Sequence, residues 1–396
     1  MLDLSRLLSR ALHPSPTGID RVEMAYARAL ARMIPGRLHY AAVHPTGIYG
    51  RLPLPHVEAF LDRTEERWEI FGDAEPIGRS RLTALSHCWS LRPRPVPPTN
   101  AARVVLQVSP HHLQHPAVVA GKLRRERAQF VCMVHDIIPI SHPEYARPNG
   151  PERHSRRLRT IENYADGILT NSHATLESLL GRADMEFRPR PARVAHFGVD
   201  ARLSQPPSQG WPDGNYFVCL STIEPRKNHL LLLHIWRSMV DALGTVGTPV
   251  LYLVGRRGWE NENIVDLLER CPGLQGCVRE LPRLPDNRLR QLLAGARALL
   301  MPSFAEGFGM PVAEALAAGV PVIASDIPAH REAGGTVPDY FDPIDAVGWR
   351  QAILDYCAPA SRRRAAQKMR LAGWRPKTWE AHVQSALSFV EEVAAG

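Results

Sequence analysis

Short apolar runs rich in β-branched residues alternate with helix-length segments along most of the chain. This alternation is typical of βαβ units with parallel strands, and it disfavours a β-sandwich or a helix bundle. In the first half the predicted strands lie at 38–44, 103–109, 130–136, 167–172 and 192–200. In the second half they lie at 216–222, 249–255, 277–284, 298–303 and 321–325. The pattern predicts an α/β protein with two doubly wound parallel sheets.

A non-periodic stretch, LSQPPSQGWPDGN at 203–215, separates the two series and contains three prolines and two glycines. We interpret it as a linker between two Rossmann-like domains. Ligands of open α/β sheets bind at the carboxyl ends of the strands, so we expect the two sheets to face each other across a ligand-binding cleft. The less regular segment 51–100 is interpreted as loops and short helices.

Composition narrows the class of protein. The chain has 396 residues, of which 44% are hydrophobic, which is enough for two cores. The six cysteines show no metal-ligand spacing, and several lie in strand-like runs, so we expect free thiols. No apolar run is long enough to span a bilayer, and Arg6 and Arg10 interrupt the first leucines, which predicts a cytoplasmic protein.

The formal net charge of +8 favours an anionic partner: a phosphorylated ligand, a membrane surface or a nucleic acid. The basic clusters KLRRER (122–127) and RHSRRLR (153–159) are read first as solvated helix faces. They lack interleaved aromatic residues, which argues against nucleic acid. Peripheral contact with anionic lipid is a second reading of the same clusters.

Candidate ligand-binding residues are concentrated in the stretch SFAEGFGMPVAEALAAGVPVIAS at 303–325. The pattern predicts a strand exit, a glycine-bearing turn and a helix that begins at Pro311 and stops at Gly319. Glycines permit close backbone approach to a ligand, and the helix start offers N–H groups to a phosphate. Glu306 at the strand exit and Glu314, expected in the first helical turn, suit hydroxyl groups better than phosphate. On spacing alone, a solvated glutamate and a favourable charge at a helix start explain them equally well.

The stretch EGFGMPVAEALAAGVPVIASD is similar to the glutamate, seven residues, glutamate signature of retaining glycosyltransferases of the GT-B fold, specifically glycosyltransferase family 4. Further similar motifs occur in order along the chain, namely TGIDRVE, VHDIIPISHPEY, TNSHATLESL, HFGVD, STIEPRKN, LVGRRGW and YFDPID. The resemblance implies an acceptor-binding domain at 1–204, a donor-binding domain at 205–375, and a last helix at 376–396 that returns to the first domain.

The resemblance also implies a site. Lys227 in STIEPRKN matches a lysine that neutralises the donor diphosphate. The matching early arginine is absent here, where Ser221 and Thr222 stand, so its role is assigned to Arg226. Glu306 would position the donor sugar, and Glu314 would accept hydrogen bonds from a ribose. The turn residues Gly307, Phe308, Gly309 and Met310 would contact the donor.

Three positions outside that turn complete the implied site. His135 in MVHDIIP corresponds to a histidine that touches the donor sugar, with Asp136 beside it to orient the imidazole or face an acceptor hydroxyl. Gly18 in SPTGIDR corresponds to a glycine loop near the diphosphate. Leu284 lies in the segment whose backbone contacts the base, and the turn LVGRRGW lies near the nucleotide.

The activity implied is retaining transfer of a sugar from a nucleotide diphosphate donor to a glycan or lipid-linked acceptor, without a metal or a separate cofactor. Similar motifs favour mannose from GDP-mannose in bacterial polysaccharide or lipopolysaccharide synthesis. A UDP-glucose or other UDP-sugar donor, a nucleotide-sugar epimerase on the same fold, and a non-catalytic binder remain alternatives.

Overall fold

The computed structural model describes residues 1–13, 15–71, 86–87, 89–97, 101–182, 190–204, 211, 215–282 and 284–396. By contacts, the chain divides into two compact units. Unit 1 comprises Met1–Gly198 with Thr378–Gly396, and unit 2 comprises Val199–Lys377. Most of the linker predicted at 203–215 lies outside the described residues, as does much of 72–100.

Unit 1 contains a seven-stranded sheet in the order β3-β2-β1-β4-β5-β6-β7. Its strands are β1 Leu2–Asp3, β2 Tyr40–Val43, β3 Tyr49–Arg51, β4 Val104–Gln107, β5 Gln129–Val134, β6 Gly167–Thr170 and β7 Ala192–Val194. All neighbours are parallel except β2 and β3, which form an antiparallel hairpin. The order reverses at β1 and β4, because the chain proceeds from β1 toward one edge and from β4 toward the other.

Helices cover the unit 1 sheet. Those before residue 199 are α1 Ser5–Ser9, α2 Gly18–Met33, α3 Leu54–Glu66, α4 Pro116–Glu126, α5 Ile138–Ser141, α6 Gly150–Tyr164 and α7 His173–Leu180. Thr17 caps α2, and its side chain forms a reciprocal capping box with Asp20. The core between sheet and helices is built from fully buried apolar side chains such as Phe130 and Leu179.

Unit 2 contains a six-stranded sheet in the order β10-β9-β8-β11-β12-β13, and every neighbouring pair is parallel. Its strands are β8 Tyr216–Leu220, β9 Val250–Val254, β10 Val278–Leu281, β11 Leu299–Met301, β12 Val322–Ser325 and β13 Asp339–Phe341. Its helices are α8 His229–Gly247, α9 Glu262–Arg270, α10 Asp286–Gly295, α11 Met310–Ala317, α12 Pro328–Gly334, α13 Ala346–Cys357 and α14 Arg362–Gly373. The two largely parallel α/β sheets confirm the predicted fold class.

The last helix, α15 Trp379–Ala395, belongs to unit 1 and packs on its sheet. A Cβ added to Gly167 in β6 would lie 2.8 Å from Val393 and 3.0 Å from Phe389, both on α15. The two side chains are buried. Helix α15 can therefore pack this closely on β6 only because residue 167 is a glycine, which has no side chain.

Ten predicted strands are present, but β1, β3 and β13 were not predicted. They have two, three and three residues, which is too short for period-two alternation to be recognised. The prediction of loops and short helices at 51–100 is wrong for α3, which has 13 residues.

The reading of KLRRER as a solvated helix face is wrong for two of its members. Lys122 and Glu126 on α4 are buried. Lys122 Nζ donates to Asp3 Oδ2 at 3.0 Å and to Gln107 Oε1, while Glu126 accepts from Arg51. Both pairs link α4 to the sheet.

Within the described residues, no helix is both long enough and apolar enough to cross a membrane.

Candidate functional site

A cluster of charged residues in unit 2 lies where its strand order reverses. Strands β8 and β11 are neighbours, but the chain continues from β8 to β9 on one side and from β11 to β12 on the other. The chain therefore leaves the two strands in opposite directions, and the loops after them, 221–228 and 302–309, lie side by side at the carboxyl edge. This is the position at which open α/β sheets bind ligands.

Glu306 is the centre of this cluster. Its Oε1 accepts hydrogen bonds from Lys227 Nζ and, at 2.8 Å, from Ser303 Oγ. Its Oε2 accepts from Arg226 Nη1 at 2.8 Å. The structure thus brings together Glu306, Lys227 and Arg226, three residues that the sequence singled out.

Arg226 is held by more than Glu306. Its Nη1 donates to the Ala305 carbonyl at 2.6 Å, and its Nη2 donates to Glu224 Oε1 at 2.7 Å. Glu224 was not predicted as a site residue, since nothing in STIEPRKN shows that its side chain turns inward. Arg226 therefore bridges two carboxylates, both of which are almost fully buried, while Lys227 pairs with Glu306.

The two carboxylates differ in their proton affinity. Burial by itself raises the pKa of Glu306, but the charges of Lys227 and Arg226 outweigh it and hold the pKa well below its usual range. Burial raises the pKa of Glu224 above its usual value, and Arg226 compensates only in part. Glu306 is consequently ionised at neutral pH.

Backbone contacts fix the loop that carries the cations. Phe304 N donates to the Arg226 carbonyl at 2.9 Å. Asn228 adopts a left-handed conformation, with φ of 55°, and its Nδ2 donates to the carbonyls of Pro302 and Pro343 at 3.1 and 2.8 Å. The end of this loop is thereby tied to the loops that follow β11 and β13.

The glycine turn leads into α11. Gly309 has φ of 93° and is the residue before the helix, which begins at Met310. The prediction of a start at Pro311 is thus off by one residue, and the placement of Glu314 in the first turn is wrong, because that turn contains no acidic residue. Glu314 lies in the second turn and is half-buried, while Phe308 is buried.

A buried imidazole that the sequence analysis missed lies behind this turn. A Cβ on Gly309 would lie 2.8 Å from Cδ2 of His330, which has no exposed surface. His330 Nδ1 lies 3.0 Å from the Ser325 carbonyl; since a carbonyl only accepts, Nδ1 carries the hydrogen. Its Nε2 has no hydrogen-bond partner among the described residues. Burial lowers the pKa of His330, although Glu306 opposes this, so the ring is neutral.

The turn after β9 lies against the same cluster. Gly255 has φ of 152°, and a Cβ there would lie 1.9 Å from the Ser221 carbonyl. Only glycine permits this approach of the LVGRRGW turn to the STIEPRKN turn. Arg257 in the same turn pairs with Glu269 and Glu280 near the surface. Leu284 follows β10 and is half-buried.

The remaining predicted residues belong to unit 1. His135 follows β5, and its Nε2 donates to the Val108 carbonyl at 2.7 Å, which leaves Nδ1 as the acceptor of a neutral ring. Burial lowers the pKa of this histidine. Asp136 Oδ1 accepts from Ile138 N at 3.1 Å, so the carbonyl of Val108, and not Asp136, orients the imidazole. Gly18 is the first residue of α2.

Comparison with known families agrees with the chemistry of unit 2. Residues 214–358 match the family model described as Glycosyl transferases group 1. The Escherichia coli serotype-specific mannosyltransferase WbdA is 28% identical over 266 residues, which cover 62% of this chain and 32% of WbdA. The Escherichia coli O-antigen chain mannosyltransferase B is 36% identical over 226 residues, covering 57% of this chain and 55% of that protein. The matches thus span about a third to about half of these relatives.

Solved structures share the fold over the whole chain. Sucrose-phosphate synthase from Thermosynechococcus elongatus has a TM-score of 0.63 at 16% identity, covering 100% of this chain and 99% of its own. Anabaena HepE in complex with UDP and glucose has a TM-score of 0.59 at 16% identity, with 100% and 96% covered. The family model thus matches residues 214–358, whereas the similarity in fold, which is the predicted GT-B fold, extends over the whole chain.

Proposed function

We propose that the chain transfers a sugar from a nucleoside diphosphate donor to a glycan or lipid-linked saccharide, with mannose from GDP-mannose as the first choice. The observation that carries this proposal is the cluster of Lys227, Arg226 and Glu306 at the switch point of unit 2. The family match to residues 214–358 and the mannosyltransferase relatives support the class of reaction and the sugar.

Lys227 and Arg226 suit a diphosphate leaving group. Charge develops on the bridging phosphate oxygen as the bond to the anomeric carbon breaks, and fixed cations in a partly dehydrated site stabilise that charge. Both side chains are largely buried, with exposed fractions of 11% and 18%. Since the two side chains supply positive charge, we propose that the reaction needs no metal.

Glu306 competes with the diphosphate for these cations. When phosphate oxygens accept from Lys227 and Arg226, the carboxylate regains acceptor capacity, which we assign to hydroxyl groups of the donor sugar. In the proposed retaining reaction the acceptor oxygen bonds to the anomeric carbon on the face that the diphosphate leaves. The acceptor proton passes to a phosphate oxygen, so Glu306 positions the sugar and does not attack it.

Thermal unfolding with a panel of nucleoside diphosphates tests the donor site. A ligand that binds only the folded state raises the unfolding temperature, and we expect GDP to do so more than UDP. Lys227→Ala should weaken that binding by about 10- to 100-fold, because it removes a charge-assisted hydrogen bond. Lys368→Ala on the exposed face of α14 is the matched control. A larger rise of the unfolding temperature with UDP than with GDP would identify a UDP-sugar as the donor. No rise with any nucleoside diphosphate would refute the donor site.

Glu306→Gln separates the two roles of this carboxylate. The variant removes the competing charge, so we expect nucleoside diphosphate to bind several-fold tighter while sugar transfer, followed by mass spectrometry of product formation, falls by at least about tenfold. Weaker diphosphate binding with unchanged transfer would contradict both assignments.

A further inference from the structure

The carboxyl edge of the unit 1 sheet carries unneutralised positive charge. The strand order of unit 1 reverses at β1 and β4, and the segments after β1, β4 and β5 meet at this edge. Helix α1 follows β1 and carries Arg6, and Arg10 comes directly after this helix. His154 on α6 lies 3.1 Å from the carbonyl of Asp136, which follows β5, and Arg157 is one helical turn further along.

Arg157 is half-buried, and it forms no ion pair with a carboxylate in the part of the chain that the structure describes. Within the described residues its one polar contact is Nε to Gln114 Oε1, at 3.5 Å, the limit of a hydrogen bond. Two other half-buried arginines, Arg190 and Arg297, form several hydrogen bonds each. Arg190 donates to three carbonyls at the end of α6, and Arg297 donates to the carbonyls of Tyr356 and Ala358.

Neighbouring positive charges further disfavour the charged form of Arg157. Burial and the charge of Arg153 lower the pKa of Arg157, and Arg6 acts in the same direction, while Asp136 opposes them. Arg6 is itself only partly neutralised, because it shares the single carboxylate of Asp20 with Arg10, at 2.7 and 2.8 Å. The four arginines Arg6, Arg10, Arg153 and Arg157 thus have Asp20 and Asp136 as compensating carboxylates. The nearby carboxylate of Asp3 is already paired with Lys122.

The histidines at this edge do not change that balance. Burial lowers the pKa of His135 and His154, and it lowers the pKa of His111 to about 4, so all three are neutral at pH 7. A neutral imidazole provides a hydrogen-bonding group without charge. The net positive charge of the edge comes from arginine alone.

We propose that this edge of unit 1 binds an anionic group of the acceptor, a phosphate or a sugar carboxylate, through Arg157. A partly dehydrated guanidinium without a counter-ion is unfavourable, and a bidentate anion relieves that cost. The assignment of the anion to an acceptor rests on the proposed function. The existence of the anion site does not depend on sugar transfer.

Protection from phenylglyoxal, a reagent for guanidinium groups, tests the site with inorganic phosphate and glucuronate as probes. We expect either anion to slow modification of Arg157 by at least about threefold, as read by peptide mass spectrometry, because a bidentate anion covers both amino groups. Exposed Arg159, on the same helix, should react at an unchanged rate. Protection by phosphate alone identifies a phosphorylated acceptor, and protection by glucuronate alone identifies a uronic acid. No protection by either overturns the proposal.

A second measurement excludes phosphate binding at the Lys227 site of unit 2. In a Lys227→Ala background, inorganic phosphate should still raise the unfolding temperature, and adding Arg157→Gln should abolish that rise while Arg159→Gln leaves it. Equal responses in the two double variants would also overturn the proposal. Nucleoside diphosphate stabilisation that depends on Lys227 tests the donor site separately, so the two proposals can fail independently.

Discussion

Gly309, in the turn before α11, has no room for a single added atom. Its φ of 93° is strained for any side chain, and the Cβ of an alanine would also meet the imidazole of His330 at 2.8 Å. His330 is fully buried, so its ring has little room to move. Since the same turn carries Gly307 and Phe308 toward Glu306, a shift here moves the site.

We predict that Gly309→Ala destabilises the protein by about 2–4 kcal/mol, combining about 1 kcal/mol of backbone strain with the cost of overpacking. Gly319→Ala is a matched control, because Gly319 also has a positive φ, of 75°, but has no atom within 4 Å of the added Cβ. Urea unfolding of both variants measures the difference. Equal losses of unfolding free energy in the two variants would show that the ring of His330 moves aside without an energetic cost.

Individual residue types at the site were predictable, but their pairing was not. Lys227 and Glu306 stand out in the sequence because charged residues next to a glycine turn suggest a ligand. Nothing in the spacing shows that they bind each other, since they lie 79 positions apart. Glu224 and His330 were missed because their burial is a property of the packed loops.

At the scale of elements, a buried ion pair secures the shortest strand. Strand β1 has two residues, and Asp3 within it accepts from Lys122 on α4. Gln107 in β4 accepts from the same ammonium group. Burial by itself raises the pKa of Asp3, but Lys122 and hydrogen bonds from Ser5 hold it below its usual range. The pair therefore ties a strand, its neighbour and the covering helix together.

We predict that Lys122→Met destabilises the protein by about 3–5 kcal/mol at pH 7, because it leaves a buried carboxylate without a partner. Because the pKa of Asp3 is depressed in the folded state, its stabilisation is present above the unfolded value of about 3.9 and is lost as the pH falls below it. In the variant the carboxyl takes up a proton readily, so the loss should shrink between pH 7 and 4. Lys368→Met on exposed α14 should cost at most about 0.5 kcal/mol. A loss that does not vary with pH would show that Asp3 is not the group involved.

At the scale of the whole molecule, the end of the chain completes the first unit. Helix α15 lies more than 180 positions from the strands on which it packs, and Phe389 and Val393 fill the space above Gly167. His382 on the same helix contacts the ring of Tyr26 edge-on, at 5.2 Å between centroids. Unit 1 thus depends on a helix that is distant in sequence from its strands.

We predict that Phe389→Ala destabilises unit 1 by about 3–5 kcal/mol, the usual cost of deleting a buried phenyl ring. Hydrogen exchange of peptides from β5 and β6 should accelerate strongly. Gln384→Ala, on the exposed face of α15, should leave that exchange unchanged. Unchanged exchange in Phe389→Ala would mean that α15 adds little to the unit.

The sequence by itself determined the class of fold, and it singled out the glycine-bearing turn and the charged residues that the structure brings together in unit 2. Buried parallel strands require runs of apolar residues, and a turn that approaches a ligand requires glycine. Both features can therefore be recognised in the sequence alone. Tertiary structure alone decided which charges form ion pairs. Glu306 pairs with Lys227 and Asp3 pairs with Lys122, while Arg157 forms no ion pair with a carboxylate among the described residues. Electrostatic energy depends on distance and on exclusion of water, and both are set only when loops distant in sequence pack together.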